Sequence, residues 1–327
     1  MASSTQAMPL AQATSFSGIW LPMITPLRDG RIDLEAVRRL HRHYRQAGID
    51  GLVVFGSTGE GNLLSGAEKA AVLKTLASES QPLPVMIGVG GVDTRQIAAT
   101  VRRLNAFRPA GYLVPPPYYL APTQTGLVWH FRAVADATDR PIVLYNVPKR
   151  TGVAIAVETM EILARQPGIA AIKECQPAVL KALRHNPVLP ALCGDDASLA
   201  THMLDGGIGA IPVIANLYPE WVVALARHAQ AGDRDAACAL FKRLRVLTRL
   251  LFAEPNPVPV KRALSLLGWI DEEVRRPLMP ASYTLGLQLR RALHAVEASG
   301  GLACCTRKEA AERHLQSRST LVPSVGL

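Results

Sequence analysis

Eight short apolar runs, each followed by a longer segment of mixed polarity, constrain the fold of this chain more than any other feature. The runs are Ile19–Thr25, Gly51–Phe55, Pro84–Val89, Gly111–Val114, Pro141–Asn146, Ile169–Lys173, Ala191–Gly194 and Ile208–Val213. Strands of a parallel sheet are buried on both faces, so they read as near-continuous apolar runs of this length. The intervening segments carry a helical period. Asp33 stands as an N-cap, and Glu35–Ala47 places Val37, Leu40 and Tyr44 on one face. Thr94–Phe107 and Thr123–Thr138 read the same way. Strand and helix repeated eight times predict an α/β fold, a (β/α)8 TIM barrel with its helices outside, and a doubly wound open sheet is the alternative at this level.

After Pro219 the strands stop. Glu220–Ala231, Asp233–Phe252, Val258–Leu267 and Leu285–Glu297 all have helical patterns. The run Glu254-Pro-Asn-Pro-Val-Pro interrupts them, because prolines this dense cannot sit inside a helix. The expected organisation is a flexible N-terminal segment over 1–15 and a catalytic barrel over 16–232. A C-terminal helical domain follows over 233–298, and a mobile tail over 299–327.

Composition narrows the class. Apolar residues make 49% of the chain and charged ones 19%, a balance that builds a packed core. The formal net charge of +10 raises the question of nucleic acid. The cations, however, are scattered along amphipathic segments, as at Arg38, Arg39, Arg42 and Arg45, with no nucleic-acid-binding signature beside them. Five cysteines without a CxxC pair or a Cys/His ligand spacing point to a reduced compartment and no metal site. No run is long enough to span a bilayer, and the first residues lack the apolar core of a signal peptide, so a cytoplasmic location without membrane contact is expected.

In a (β/α)8 barrel the chemistry sits where the strands end. The sixth run ends in Ile172-Lys173-Glu174. A lysine at the mouth of a barrel, against low-dielectric walls, loses its proton more readily and becomes an amine nucleophile. An amine converts a ketone to an iminium, an electron sink that turns the neighbouring carbon into an enamine nucleophile. A lysine that simply exits to solvent is the competing reading, and for a lone lysine the commoner one. The fifth run ends in Tyr145-Asn146 and continues to Arg150. A phenol can shuttle protons through carbinolamine formation, and a guanidinium can fork onto a carboxylate. A core tyrosine and a surface arginine are the alternatives. Phe55-Gly56-Ser57-Thr58-Gly59-Glu60-Gly61 ends the second run and suits an anion, with glycines for close approach and two hydroxyls as donors. Pro115-Pro-Pro117-Tyr118-Tyr119 ends the fourth, where paired aromatics more often pack than react. Gly88-Val-Gly90-Gly91-Val-Asp93 has Asp where a dinucleotide fingerprint needs Gly. His41 and His43 are two apart on a helix and cannot share a face. Asp195 and Asp196 are expected to cap a helix rather than bind metal, and Cys175 to be structural.

Taken in order, Gly56-Ser-Thr-Gly-Glu60, Tyr118-Tyr119, Tyr145-Asn-Val-Pro-Lys-Arg-Thr-Gly152, Ile172-Lys-Glu174, Gly194-Asp-Asp-Ala-Ser198 and Glu254-Pro-Asn-Pro-Val-Pro-Val-Lys261 resemble the dihydrodipicolinate synthase / N-acetylneuraminate lyase family of class I aldolases over roughly residues 16 to 298. The resemblance implies the barrel with its helical appendage. It also implies Lys173 as the Schiff-base lysine for pyruvate, Tyr145 as proton relay, Ser57 as a relay hydroxyl and Thr58 as binder of the pyruvate carboxylate. Tyr119 would reach into a neighbouring subunit's site, Arg150 would hold the aldehyde's carboxylate, and Gly194 and Ile211 would supply backbone positions near the imine. No cofactor is implied, because the lysine is itself the electron sink. The implied assembly is a homotetramer, a dimer of dimers. Arg150 favours the synthase branch, in which pyruvate condenses with aspartate-4-semialdehyde. Another pyruvate-dependent aldolase or hydratase-aldolase acting on a sugar acid or other aldehyde is the alternative, and a catalytically silent binding barrel a third reading. The chain departs from the family pattern at Cys175-Gln176-Pro177 and at Leu120-Ala121, both beside the second substrate. It also departs at Gly66, Lys69, Val92 and Gln96, where lysine-inhibited members carry other residues. Lys69 would repel a lysine effector, so weak or absent lysine feedback is expected.

Overall fold

The structure, a computed structural model, describes residues 16–299. The expectations for the N-terminal segment and for all but the first residue of the tail lie outside the described residues. Eight strands close into a parallel barrel: β1 Gly18–Pro22, β2 Gly51–Val54, β3 Val85–Gly88, β4 Gly111–Val114, β5 Ile142–Asn146, β6 Ile169–Glu174, β7 Ala191–Cys193 and β8 Gly209–Ala210, with β8 pairing back to β1. Closure rules out the open sheet.

Residue parity divides each strand between two environments. Trp20, Val53, Met86, Leu113, Val143, Ala171 and Leu192 point inward and form one cluster, joined by Ile211 just past β8. Leu21, Leu52, Val54, Ile87, Leu144 and Ile172 point outward and pack under the helices. The helices begin where the sequence supplies caps. Asp33 accepts from the N–H of Ala36 at the start of Leu34–Gln46, and Ser65 with Glu68 closes a capping box on Gly66–Ala77. Asp233 caps Arg234–Leu250; this helix and Val258–Leu266 each pack against Tyr283–Ala298 to form the C-terminal helical layer, after the barrel helix Pro219–Gln230.

Two strand ends differ from the sequence reading. The first strand stops at Pro22, and the chain then forms a small antiparallel hairpin, Leu27–Arg28 with Arg31–Ile32. Asp29 and Gly30 both take positive φ (51° and 72°), the two-residue turn that an Asp-Gly pair favours. The last strand keeps only two paired residues. Pro212 ends it, and Val213–Asn216 turns into a 3₁₀ helix. Asp196 holds that turn by accepting from the N–H groups of Val213 and Ile214 at 2.9 and 2.7 Å.

Candidate active site

Inward parity continues to the ends of β5 and β6. Tyr145 follows Val143 and Lys173 follows Ala171, so both side chains enter the barrel at its C-terminal end. They lie in register on neighbouring strands. The Lys173 Nζ stands 4.5 Å from the centroid of the Tyr145 ring, and the two residues are only 5% and 8% exposed. The next residue on each strand faces out. Asn146 Nδ2 donates to Glu174 Oε2 at 2.7 Å, and Glu174 also accepts from the N–H of Gln176, which locks the two strand ends together behind Tyr145 and Lys173. Burial raises the Glu174 carboxyl above the usual carboxylate range.

Gly194, at the end of β7, borders the lysine. A Cβ there would sit 3.0 Å from Lys173 Cε and 2.5 Å from Cys175 Sγ, so a side chain would displace one of them. The Cys175 thiol, pushed up to about 11 by burial, donates to the Gly194 carbonyl. Cys193 is equally inert, and Cys175, Cys193 and Cys238 are all free thiols. Ile211 is fully buried in the inner cluster with Tyr145, its N–H donating to the Cys193 carbonyl. The buried Asp196 carboxyl is pushed up to about 6, mainly by desolvation, with its two N–H donors and the Lys173 charge acting the other way.

A cavity of about 220 Å³ opens beside Tyr145, with Ser57, Tyr118, Tyr145 and Arg150 on its walls and Lys173 reached through the Tyr145 ring rather than lining it. Its second-strand side is the 56–61 loop. Phe55 and Glu60 adopt positive φ (59° and 53°), a conformation that side-chain-bearing residues hold only under constraint. Gly61 is obligatory, since a Cβ would lie 1.8 Å from the Phe55 carbonyl oxygen. The N–H groups of Gly59 and Gly61 close the loop onto the Gly56 carbonyl, and that of Glu60 onto the Ser57 carbonyl. Those of Ser57 and Thr58 make no hydrogen bond among the described residues. Thr58 is buried, and its Oγ1 accepts from Asn256 Nδ2 at 2.8 Å. Arg150 lies on the short helix Pro148–Thr151, exposed at the cavity mouth, where its Nη2 donates to the Asn256 carbonyl at 3.2 Å.

The structure therefore brings Ser57, Tyr145 and Arg150 to one cavity, with Lys173 against Tyr145 and Gly194, and Thr58 one residue behind Ser57. Tyr119 stands apart. It is 92% exposed at φ 73°, while its neighbour Tyr118 supplies the phenol on the cavity wall and is raised above its usual range by burial. Asn62 and Asn256 were missed as site residues. Asn62 follows the Gly-rich loop directly, and Asn256 lies between two prolines in a run that was read as a helix break and as part of the family resemblance, with no role given to the asparagine. His41 accepts from the Leu83 N–H, His43 stacks on Trp269, and Asp195 caps the Asp196–Ser198 turn, all structural roles. Among the described residues no cluster of His, Cys, Asp and Glu could hold a metal, and no helix is long and apolar enough to cross a membrane.

A smaller cavity of about 130 Å³ adjoins the first and shares Asn62, Gly88, Val89 and Gly90 with it. Lys69, Val92 and Gln96 line it, and Gly66 does not. Burial lowers the Lys69 amine below its usual range.

The dihydrodipicolinate synthetase family profile matches residues 15–296. A 4-hydroxy-tetrahydrodipicolinate synthase from Pelobacter propionicus is 37% identical over 292 residues, covering 88% of this chain and 99% of that protein. The enzyme of the same name from Thermotoga petrophila is 35% identical over 278 residues, 82% of this chain and 94% of its own length. The crystal structure of dihydrodipicolinate synthase from Thermotoga maritima superposes with a TM-score of 0.81 at 33% identity, covering 86% of this chain and 99% of that one.

Proposed function

This chain belongs to the dihydrodipicolinate synthetase family, and from that premise we propose that it condenses pyruvate with L-aspartate-4-semialdehyde to give 4-hydroxy-tetrahydrodipicolinate, in diaminopimelate and lysine biosynthesis. The observation that carries the reading is the pairing of Lys173 and Tyr145, buried side by side at the C-terminal end of the barrel with Nζ 4.5 Å from the ring. The amine of Lys173 adds to the ketone carbon of pyruvate and expels water, leaving an iminium. Loss of a proton from the methyl carbon gives the enamine, whose carbon attacks the aldehyde and restores the iminium; the amino group of the semialdehyde then adds to the iminium carbon and displaces the Lys173 amine, which closes the ring and frees the enzyme. Tyr145 and Ser57 face the same cavity and carry protons to and from the carbinolamine oxygen. Thr58 holds the pyruvate carboxylate from below. Arg150 at the mouth holds the carboxylate of the aldehyde, where a planar fork suits a planar anion. Gly194 and Ile211 leave room and backbone contacts around the imine. No cofactor enters the scheme, since the iminium itself accepts the electron pair.

The reading includes a cytoplasmic homotetramer built from tight dimers, in which Tyr119 of one copy completes the relay of the next. Its 92% exposure in the single chain supports this, as does the exposed Leu120 beside it. The alternative, an aldolase for sugar acids or other aldehydes, is disfavoured by relatives that carry the synthase name across most of both chains.

The test is an aldehyde screen at fixed pyruvate with wild type and Arg150→Ala. Aspartate semialdehyde is expected to turn over best, and the variant to lose about 10- to 100-fold in kcat/KM for it, the worth of hydrogen bonds to a charged group. An equal loss for aldehydes without a carboxylate would remove Arg150 from that role. Failure of borohydride to trap pyruvate on Lys173 would refute the imine.

A further inference from the structure

We infer that Asn256 is a positioning residue that ties both carboxylate contacts of the site, the pyruvate side and the aldehyde side, to one point in the C-terminal helical region. The inference rests on the reaction proposed above and extends it to a residue with no chemistry of its own.

Asn256 is 7% exposed and touches both sides at once. Its side-chain Nδ2 donates to Thr58 Oγ1 at 2.8 Å, across 198 positions of sequence, and its backbone carbonyl accepts from Arg150 Nη2 at 3.2 Å. A threonine hydroxyl has one proton to give. With the amide of Asn256 as the donor, Thr58 accepts in that contact, and its own proton has no acceptor among the described residues. That proton is then free for a substrate carboxylate. The Arg150 guanidinium spends one of its five N–H groups on the carbonyl, and the rest of the fork stays available. The amide oxygen of Asn256 is itself buried with no hydrogen-bond partner among the described residues. A residue serving packing alone would not carry an unpaired acceptor into a buried place, where it costs stability.

The loop that Asn256 meets is held independently. Glu60, two residues beyond Thr58, pairs with Lys261, and both side chains are almost wholly out of solvent (1% and 0%). Lys261 also donates to the Glu273 carbonyl at 2.8 Å, and the Arg275 N–H donates to Glu60 at 2.7 Å. Glu60 and Thr58 are thus fastened to the same C-terminal segment, Lys261 by charge and Asn256 by a neutral amide. Neutrality matters at the second point. A carboxylate at 256 would take the Thr58 proton for itself and repel the pyruvate carboxylate.

The experiment is steady-state kinetics on the full chain, with KM and kcat for each substrate in Asn256→Ala, Asn256→Asp, Thr58→Val and Arg150→Ala. Thr58→Val is expected to raise the KM for pyruvate alone and Arg150→Ala that for the aldehyde alone. Asn256→Ala removes the amide but keeps the backbone carbonyl that Arg150 meets, so it is expected to raise the KM for pyruvate by roughly 10-fold and that for the aldehyde by less than about 3-fold, with kcat within about 3-fold of wild type. Asn256→Asp keeps the shape of the side chain and is expected to raise the pyruvate KM further than Asn256→Ala does. Combined with Thr58→Val, Asn256→Ala is expected to add little to the pyruvate KM, because the contact it sets is already gone, while Asn256→Asp still adds the repulsion of its charge. A melting temperature for each variant separates these effects from unfolding. If both Asn256 variants fold and leave both KM values within about twofold of wild type, or lower kcat at constant KM, the inference falls while the proposed reaction stands. If wild type itself forms no trappable imine with pyruvate, the reaction falls and takes the inference with it.

Discussion

The two ends of the same eight strands have opposite characters. At the N-terminal end the barrel is plugged by side chains. The Trp20 ring covers Gly51 so closely that a Cβ there would lie 2.5 Å from it, and Phe16 meets Trp20 edge-on at 5.2 Å and lies over Gly111. At the C-terminal end the inward positions carry Tyr145 and Lys173, the adjoining loop takes strained backbone at Phe55 and Glu60, and a cavity opens. One set of strands therefore divides labour along its length. The floor supplies rigidity by apolar packing, and the mouth spends part of it on buried polar groups. Mutations at the two ends should separate stability from chemistry.

The sharpest test is Lys173→Ala. It is expected to abolish imine trapping and to lower kcat on the order of 10⁴-fold or more, with a thermal melt close to wild type. A large drop in melting temperature together with retained turnover would erase the distinction between mouth and floor. Next comes Tyr145→Phe, expected to cost about 10²- to 10³-fold in kcat by removing one proton relay while the ring stays in place under the lysine. Stopped-flow measurement of imine formation should show the slowed step. At the floor, Trp20→Ala is expected to destabilise the fold by about 3–5 kcal/mol, seen as a lower urea midpoint, while the folded fraction keeps its kcat. The smallest expected effect is at the side cavity. Lys69 places an amine where an ammonium-bearing effector would have to enter, so millimolar L-lysine should leave the rate unchanged. An ordinary inhibition curve would show that the side cavity accommodates two amines.

Much of this was readable in the linear chain. All eight strands were located, because each is buried on both faces and shows as an apolar run. The helix starts at Asp33, Thr123 and Asp233 were visible because capping is a local event. Lys173, Tyr145, Ser57 and Arg150 were legible as residues that end strands or open the loops after them. The hairpin at Asp29-Gly30 was missed although its turn signal was present, because the preceding apolar run was read through Pro22 to Thr25. Asn256 was missed because its meaning lies wholly in two contacts made far away in sequence, with Thr58 and Arg150. The resemblance singled out Tyr119, but that Tyr118 lines the cavity could not be read from sequence. Adjacent residues go to different places, and only the backbone turn at Tyr119 decides which phenol reaches the cavity wall.

By itself the sequence determined periodicity, caps, the breaks at proline and the order of the candidate site residues, all of which depend on neighbours a few positions away. The tertiary structure alone decided that the sheet closes, which sets Tyr145 beside Lys173 on the inside, and that a segment beyond the barrel returns to brace the 56–61 loop. The reason is physical. Register between strands and contacts across hundreds of residues are set by how whole elements pack, and no local stretch of chain carries that information.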